Sequence, residues 1–224
     1  MDLLRQQDLI DGRVIRDTKI LLIGAGGIGS FAGYALAKMG ITSMQVWDND
    51  KVEEHNIPNQ NFLLSDIGQY KTLALKNLIS KMTGTSVETK ETFFVGDLSY
   101  QPDIIVSAVD SQNIRRELWQ AMEAQVPMPT WLLDARMSSM SMSLYVAKLD
   151  NIPSIEAYKD NALFPADEAM VEPCTAKAII HTCMACSYMI SNAVFHILTD
   201  KVVHPSYHGN LKDYYLTKEK KIIS

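Results

Sequence analysis

Four short stretches of this 224-residue chain combine residue types and spacings that could do chemistry. In GAGGIGS, Gly24, Gly26 and Gly29 fit G-x-G-x-x-G, with Gly27 between them. Glycines at that spacing let backbone N–H groups reach a phosphate at the positive end of a helix. Next, DNDKVEEHNIPNQ supplies Asp48, about 20 residues beyond the loop, where an acid can hold ribose hydroxyls. The same stretch carries Asp50 and two neutral hydrogen-bonding groups, Asn56 and Gln60. Lys71 follows in DIGQYK, and Asp110 and Arg115 lie in VDSQNIR. The glycine loop alone does not choose between NAD, FAD and ATP. A dehydrogenase has no reason to aim a lysine there, whereas a site handling a triphosphate does.

The elements that must position these residues follow from the hydrophobic pattern. Lys19 to Ile23 is a short apolar run ending at glycine, Gly29 to Met39 has helical spacing and stops at Gly40, and Met44 to Trp47 ends at Asp48. That is a complete βαβ unit. Ser65 is read as the cap of a helix from Asp66 to about Met82, with Gly84 past its end. Thr85 to Val95 alternates like a half-exposed strand, Asp103 to Val109 is a buried run, and a helix spans about Gln112 to Ala124. After Trp131 to Leu133, alternation through Met140, Met142, Leu144 and Val146 points to antiparallel strands added to a parallel core. The fold class is therefore α/β: a Rossmann-like, doubly wound, mainly parallel sheet extended by antiparallel strands. The chain reads as a single domain over residues 1–224, with an N-terminal helix at 1–17, a crossing loop at 151–174 and a C-terminal extension at 200–224. Ala176 to Leu198 reads as a buried or interface helix.

Composition limits the partners. With 47% hydrophobic and 21% charged residues the chain can bury a core, and a net charge of −5 without a basic cluster argues against nucleic acid. No charged-then-apolar leader and no apolar run of about 18 residues is present, so a cytoplasmic protein without membrane contact is expected. Three cysteines, Cys174, Cys183 and Cys186, are too few and too clustered for a disulfide framework. The five histidines show no paired metal or catalytic spacing.

Taken in order, these residues resemble the ThiF/MoeB/HesA family, the adenylating domain shared with ubiquitin-activating enzymes. Its pattern is G-x-G-G-x-G, D-x-D-x-V-x-x-x-N-x-x-R-Q, G-x-x-K and D-x-x-x-x-R. The chain matches at Gly24 to Gly29, Asp48, Asp50, Val52, Asn56, Gln60, Gly68, Lys71, Asp110 and Arg115. Arg5–Gln6, the run Ala135–Met137 and EPCT around Cys174 extend the match. The resemblance implies an ATP-dependent adenylyltransferase acting on the C-terminal carboxylate of a ubiquitin-like or sulfur-carrier protein, or a peptide, with a Gly-Gly ending expected. It further implies that Lys71 neutralises phosphates, Asp110 holds Mg²⁺, Asp48 the ribose, and Asn56 and Gln60 the phosphates or the substrate carboxylate. Arg5 would reach across a homodimer into the partner's site, and Cys174 would accept the acyl group. At 224 residues the chain is expected to be of the minimal bacterial or viral type. One departure is plain: Asn59 stands where the family has arginine, removing a fixed positive charge.

Cys183 and Cys186 spell C-x-x-C, and many relatives carry two such pairs on zinc. One pair within an apolar helix cannot supply four thiolates, so no zinc is expected. Two other functions remain open: a ThiF-like binding or scaffolding subunit with weak catalysis, suggested by Asn59, and an NAD-dependent oxidoreductase, suggested by the glycine loop and Asp48.

Overall fold

Strand β1 (Lys19–Ile23) sends Ile20 and Leu22 into one apolar layer and Leu21 and Ile23 into another. A strand covered by helices on both faces must divide its side chains in this way. The computed structural model describes residues 2–124, 128–163 and 179–219. Around β1 lie β2 (Ser43–Trp47), β3 (Glu88–Lys90), β4 (Ile104–Ser107) and β5 (Trp131–Ser138), all parallel. Then β6 (Ser141–Lys148), β7 (Ser206–Asn210) and β8 (Tyr215–Lys218) add in antiparallel sense. The order is β3-β2-β1-β4-β5-β6-β7-β8. The order in which the chain adds strands reverses between β1 and β4, and the carboxyl ends of those parallel strands are where an open α/β sheet forms its crevice.

Helices α2 (Gly27–Met39), α3 (Lys71–Thr83) and α6 (Ile180–Leu198) bury Leu36, Ile79 and Ile190 in one layer. Helices α4 (Gln112–Glu123) and α5 (Ile152–Ala162) bury Leu118 and Tyr158 in the other. A short α1 (Gly12–Asp17) completes the set. No described helix is long and apolar enough to cross a membrane.

The structure corrects several boundaries. Residues 1–17 are not one helix: a 3₁₀ turn at Leu4–Gln6 is separated from α1 by residues 7–11, and the Asp11 carboxylate caps α1 by accepting from the Arg13 N–H. The helix expected from Asp66 begins at Lys71 instead, because Gly68, at φ +88°, reverses the chain after a 3₁₀ turn at Leu64–Asp66. The expected strand from Thr85 to Val95 contracts to Glu88–Lys90. Within the supposed crossing loop lies α5, started by Asn151, whose side chain accepts from the Ser154 N–H, and by proline in its first turn. The C-terminal extension supplies β7 and β8 to the same sheet. Residues 164–178, which include Cys174, are outside the described residues.

Candidate active site

Gly24 leaves β1 with φ +93°, its N–H bonded to the Trp47 carbonyl of β2 at 2.8 Å. A side chain on Gly24 would meet the Ala108 carbonyl, and one on Gly29 would run into the carbonyl of Gly24. Both glycines therefore let the strand, the turn and α2 pack closely. Gly26 differs, since a Cβ there would meet no atom within 4 Å. Its backbone faces open space at the positive end of α2. Asp48, at the end of β2, closes the turn by accepting from the Ala25 N–H at 2.7 Å and the Asp50 N–H at 2.8 Å. A carboxylate retains acceptor capacity after two such bonds.

Burial pushes the Asp48 carboxyl above its ordinary value, against the pull of those two N–H groups and of the Lys71 charge. Because the folded-state value is the higher one, the fold takes up the extra proton. Asp48 therefore contributes most to stability below its unfolded value, and the contribution is lost as pH rises through the folded one. A carbon-detected NMR titration is expected to give Asp48 a midpoint above that of an exposed aspartate. A midpoint at or below it would mean that the amides outweigh burial.

Lys71 is brought in by a second piece of backbone. The Val52 N–H donates to Gln69, the Gly68 N–H to Val52 and the Lys71 N–H to Asp50, with Lys51 bridged to Tyr70. This pairing brings the Lys71 ammonium to 2.7 Å from the Asp50 carboxylate. The lysine side chain is 9% exposed and the aspartate 57%, so the cation is enclosed and its partner is wet. A cation at the first position of a helix opposes the helix dipole, so helix stability does not account for it.

The Asn56–Gln60 segment runs beside the glycine loop. Asn56 is buried in the 3₁₀ turn Glu54–Asn56 and its Oδ1 accepts from the Glu53 N–H at 2.9 Å. The Asn61 N–H donates to the Ser30 hydroxyl of α2, and the Asn59 carbonyl lies 3.5 Å from where a Cβ of Gly27 would be. Gln60 Oε1 is buried without a hydrogen-bond partner among the described residues. An orphaned buried acceptor costs free energy unless a ligand or water completes it.

Asp110 is exposed just beyond β4, across the crevice from the glycine loop. Arg115 is buried, donating through Nε to Asp134 at 2.8 Å, through Nη1 to Gln112 and through Nη2 to the Val109 carbonyl. Asp134 is the residue that sequence reading missed. An aspartate inside the apolar run WLLDARM was a signal, because a carboxylate in a covered strand needs buried partners. Arg5 is not brought to this site. The neighbouring Gln6 side chain donates to the Met39 carbonyl at the far end of α2, roughly 18 Å from the glycine loop at about 1.5 Å per residue.

Burial pushes the Cys183 thiol up to about 11 and the Cys186 thiol up to about 12. Cys183 Sγ packs against Met137 Sδ at 3.7 Å and lies 3.0 Å from where a Cβ of Gly27 would be. Such thiols are almost entirely protonated near neutrality. Iodoacetamide at pH 8 is expected to leave both unmodified in the native protein and to label them after denaturation; peptide mass spectrometry reads the outcome. Fast native labelling of either would contradict their burial.

Compared with known proteins, the chain matches the ThiF family over residues 7–222. A tRNA threonylcarbamoyladenosine dehydratase of Bacillus subtilis is 33% identical over 109 residues, covering 43% of this chain and 41% of that protein. The "Adenylyltransferase and sulfurtransferase UBA4" of Candida albicans is 28% identical over 107 residues, 45% of this chain and 24% of that protein. The crystal structure of E. coli MccB with ATP superposes with a TM-score of 0.69 at 18% identity, covering 93% of this chain and 65% of that one. At that identity the likeness is one of fold. The matches to the two curated relatives span less than half of their length.

Proposed function

Because the chain belongs to the ThiF family, we propose that it is an ATP-dependent adenylyltransferase. Its substrate would be the C-terminal carboxylate of a ubiquitin-like or sulfur-carrier protein, or of a peptide, with Gly-Gly as the favoured ending. The observation that carries this reading is the convergence, at the carboxyl ends of β1 and β2, of the open Gly26 backbone, Asp48 and the enclosed Lys71 ammonium. The residues fit a nucleoside triphosphate. Gly26 leaves room for a phosphate, Lys71 answers its charge, Asp48 can accept from ribose, and the orphaned Gln60 Oε1 invites a donor.

In the reaction, a substrate carboxylate oxygen attacks the α-phosphorus of ATP, the bond to the β-phosphate breaks, and pyrophosphate leaves. Lys71, drawn from Asp50, would stabilise the charge that accumulates on the departing oxygens. Asp110 would hold Mg²⁺, which when bound offsets phosphate charge. Among the described residues no cluster of three or more His, Cys, Asp or Glu could hold a metal. The acyl group then moves to a nucleophile, Cys174 or an external one, with release of AMP. Named relatives include an adenylyltransferase, and MccB has been solved with ATP. The homodimer expectation is supported by the distance of Arg5 from its own glycine loop. The exposed apolar stripe Ile180, Met184 and Tyr188 along α6 supports it too.

The test is ATP–pyrophosphate exchange in the presence of a small carrier protein ending in Gly-Gly, with the same protein lacking the two glycines as control. Exchange that needs the Gly-Gly tail supports the proposal. Asn59 in place of the family arginine favours a second reading, a scaffolding subunit, and stable Mg·ATP binding with no exchange on any carrier would select it. The oxidoreductase reading has only the glycine loop and Asp48 in its favour, and gives Lys71 nothing to do.

A further inference from the structure

Asp134 sits in the middle of β5, fully buried and in register with Ser107 of β4. Three side chains converge on it. Arg115 of α4 donates to Oδ1 at 2.8 Å, Arg136 donates to Oδ2 through Nε at 3.1 Å and Nη2 at 2.6 Å, and the Tyr158 hydroxyl of α5 donates to Oδ2 at 3.2 Å. Two guanidinium groups on one enclosed carboxylate are a poor substitute for apolar packing if stability alone is at stake.

What the cluster does is reach beyond the core. Arg115 Nη2 donates to the carbonyl of Val109, the residue immediately before Asp110. Val109 lies past the last paired residue of β4, outside the strand ladder on either side. The turn carrying Asp110 from β4 into α4 therefore depends on Arg115, and Arg115 is oriented by Asp134.

We propose that Asp134 is a positioning residue: it fixes the Arg115 fork, and through it the Val109 carbonyl and the turn that presents Asp110. The role given to Asp110 rests on the adenylation reading, but the mechanical link does not. Asp134→Asn keeps the shape and removes the charge that orients the fork. Arg115→Lys keeps the charge but cannot hold Asp134 and the Val109 carbonyl together, because an ammonium lacks the planar fork. Tyr158→Phe removes a different bond to the same carboxylate and serves as control.

Hydrogen exchange of the full chain without nucleotide, read by mass spectrometry, is expected to quicken at least tenfold in residues 107–113 of Asp134→Asn and Arg115→Lys. It should stay unchanged there in Tyr158→Phe, and around Gly24–Gly29 in all three. In ATP–pyrophosphate exchange the two active variants should need about tenfold more Mg²⁺ for half-saturation, at unchanged affinity for AMP. If Asp134→Asn does not fold, Arg115→Lys carries the test. Unchanged exchange in 107–113, or a rise spread evenly along the chain, overturns the proposal. A wild type that binds no ATP would end the adenylation reading, while the amide-exchange result would still decide the positioning role.

Discussion

Replacing Lys71 by alanine is expected to lower kcat/KM for adenylation roughly 10³-fold, about 4 kcal/mol of transition-state stabilisation, while leaving the protein folded. The asymmetry of the ion pair is the reason. Lys71 is enclosed and stands at the first position of α3, where the helix dipole works against a cation. Its partner Asp50 is more than half exposed, so removing the lysine leaves a solvated carboxylate and not a buried one. The loss of stability should stay within about 1 kcal/mol. Asp50→Asn should retain catalysis, because it frees the ammonium without removing it. Pyrophosphate exchange and thermal melting, measured on both variants, separate the two effects. Full activity in folded Lys71→Ala would remove this residue from the site.

The second large effect divides two glycines of the same loop. A Cβ on Gly29 would lie 1.9 Å from the Gly24 carbonyl oxygen, backbone against backbone, so the turn itself must move. Gly29→Ala is expected to lose about 3 kcal/mol or more of stability, seen as a lower urea midpoint. At Gly26 the same methyl group meets no atom within 4 Å. Gly26→Ala should therefore fold with stability within about 0.5 kcal/mol of wild type. It should nevertheless bind nucleotide at least tenfold more weakly, because the added methyl occupies space a phosphate needs. Equal destabilisation by the two substitutions, or unimpaired nucleotide binding by Gly26→Ala, would contradict the geometry of the loop.

What could be read from the sequence divides along physical lines. Strand β1 ends where its apolar run does, and α2 and α3 end on Gly40 and Gly84, both with positive φ. These are local rules, and they held. Long-range pairing was not legible: residues 50–52 pair with 68–71, and this delays the start of α3 until Lys71 stands beside Asp50. The helix α5 carried both a cap and a first-turn proline, yet a run of prolines and acids disguised it as loop. Within the structure, Asp48 joins the glycine loop to Asp50, Asp50 joins Lys71, and the Asn59–Asn61 segment lies against the start of α2. Arg115, matched in sequence only as the end of D-x-x-x-x-R, is a brace, and only the fold reveals that its donors reach Asp134, Gln112 and the Val109 carbonyl.

The most direct test of the nucleotide assignment is the shift in melting temperature produced by Mg·ATP and, separately, by NADH, on wild type, Lys71→Ala and Asp110→Ala. A ligand that binds only the folded chain must raise the midpoint, by about 2.7 kcal/mol of added stability at a hundredfold excess over its Kd. The expected result is a rise with Mg·ATP in the wild type, its loss in both variants, and no response to NADH. A rise with NADH alone would contradict the adenylation account.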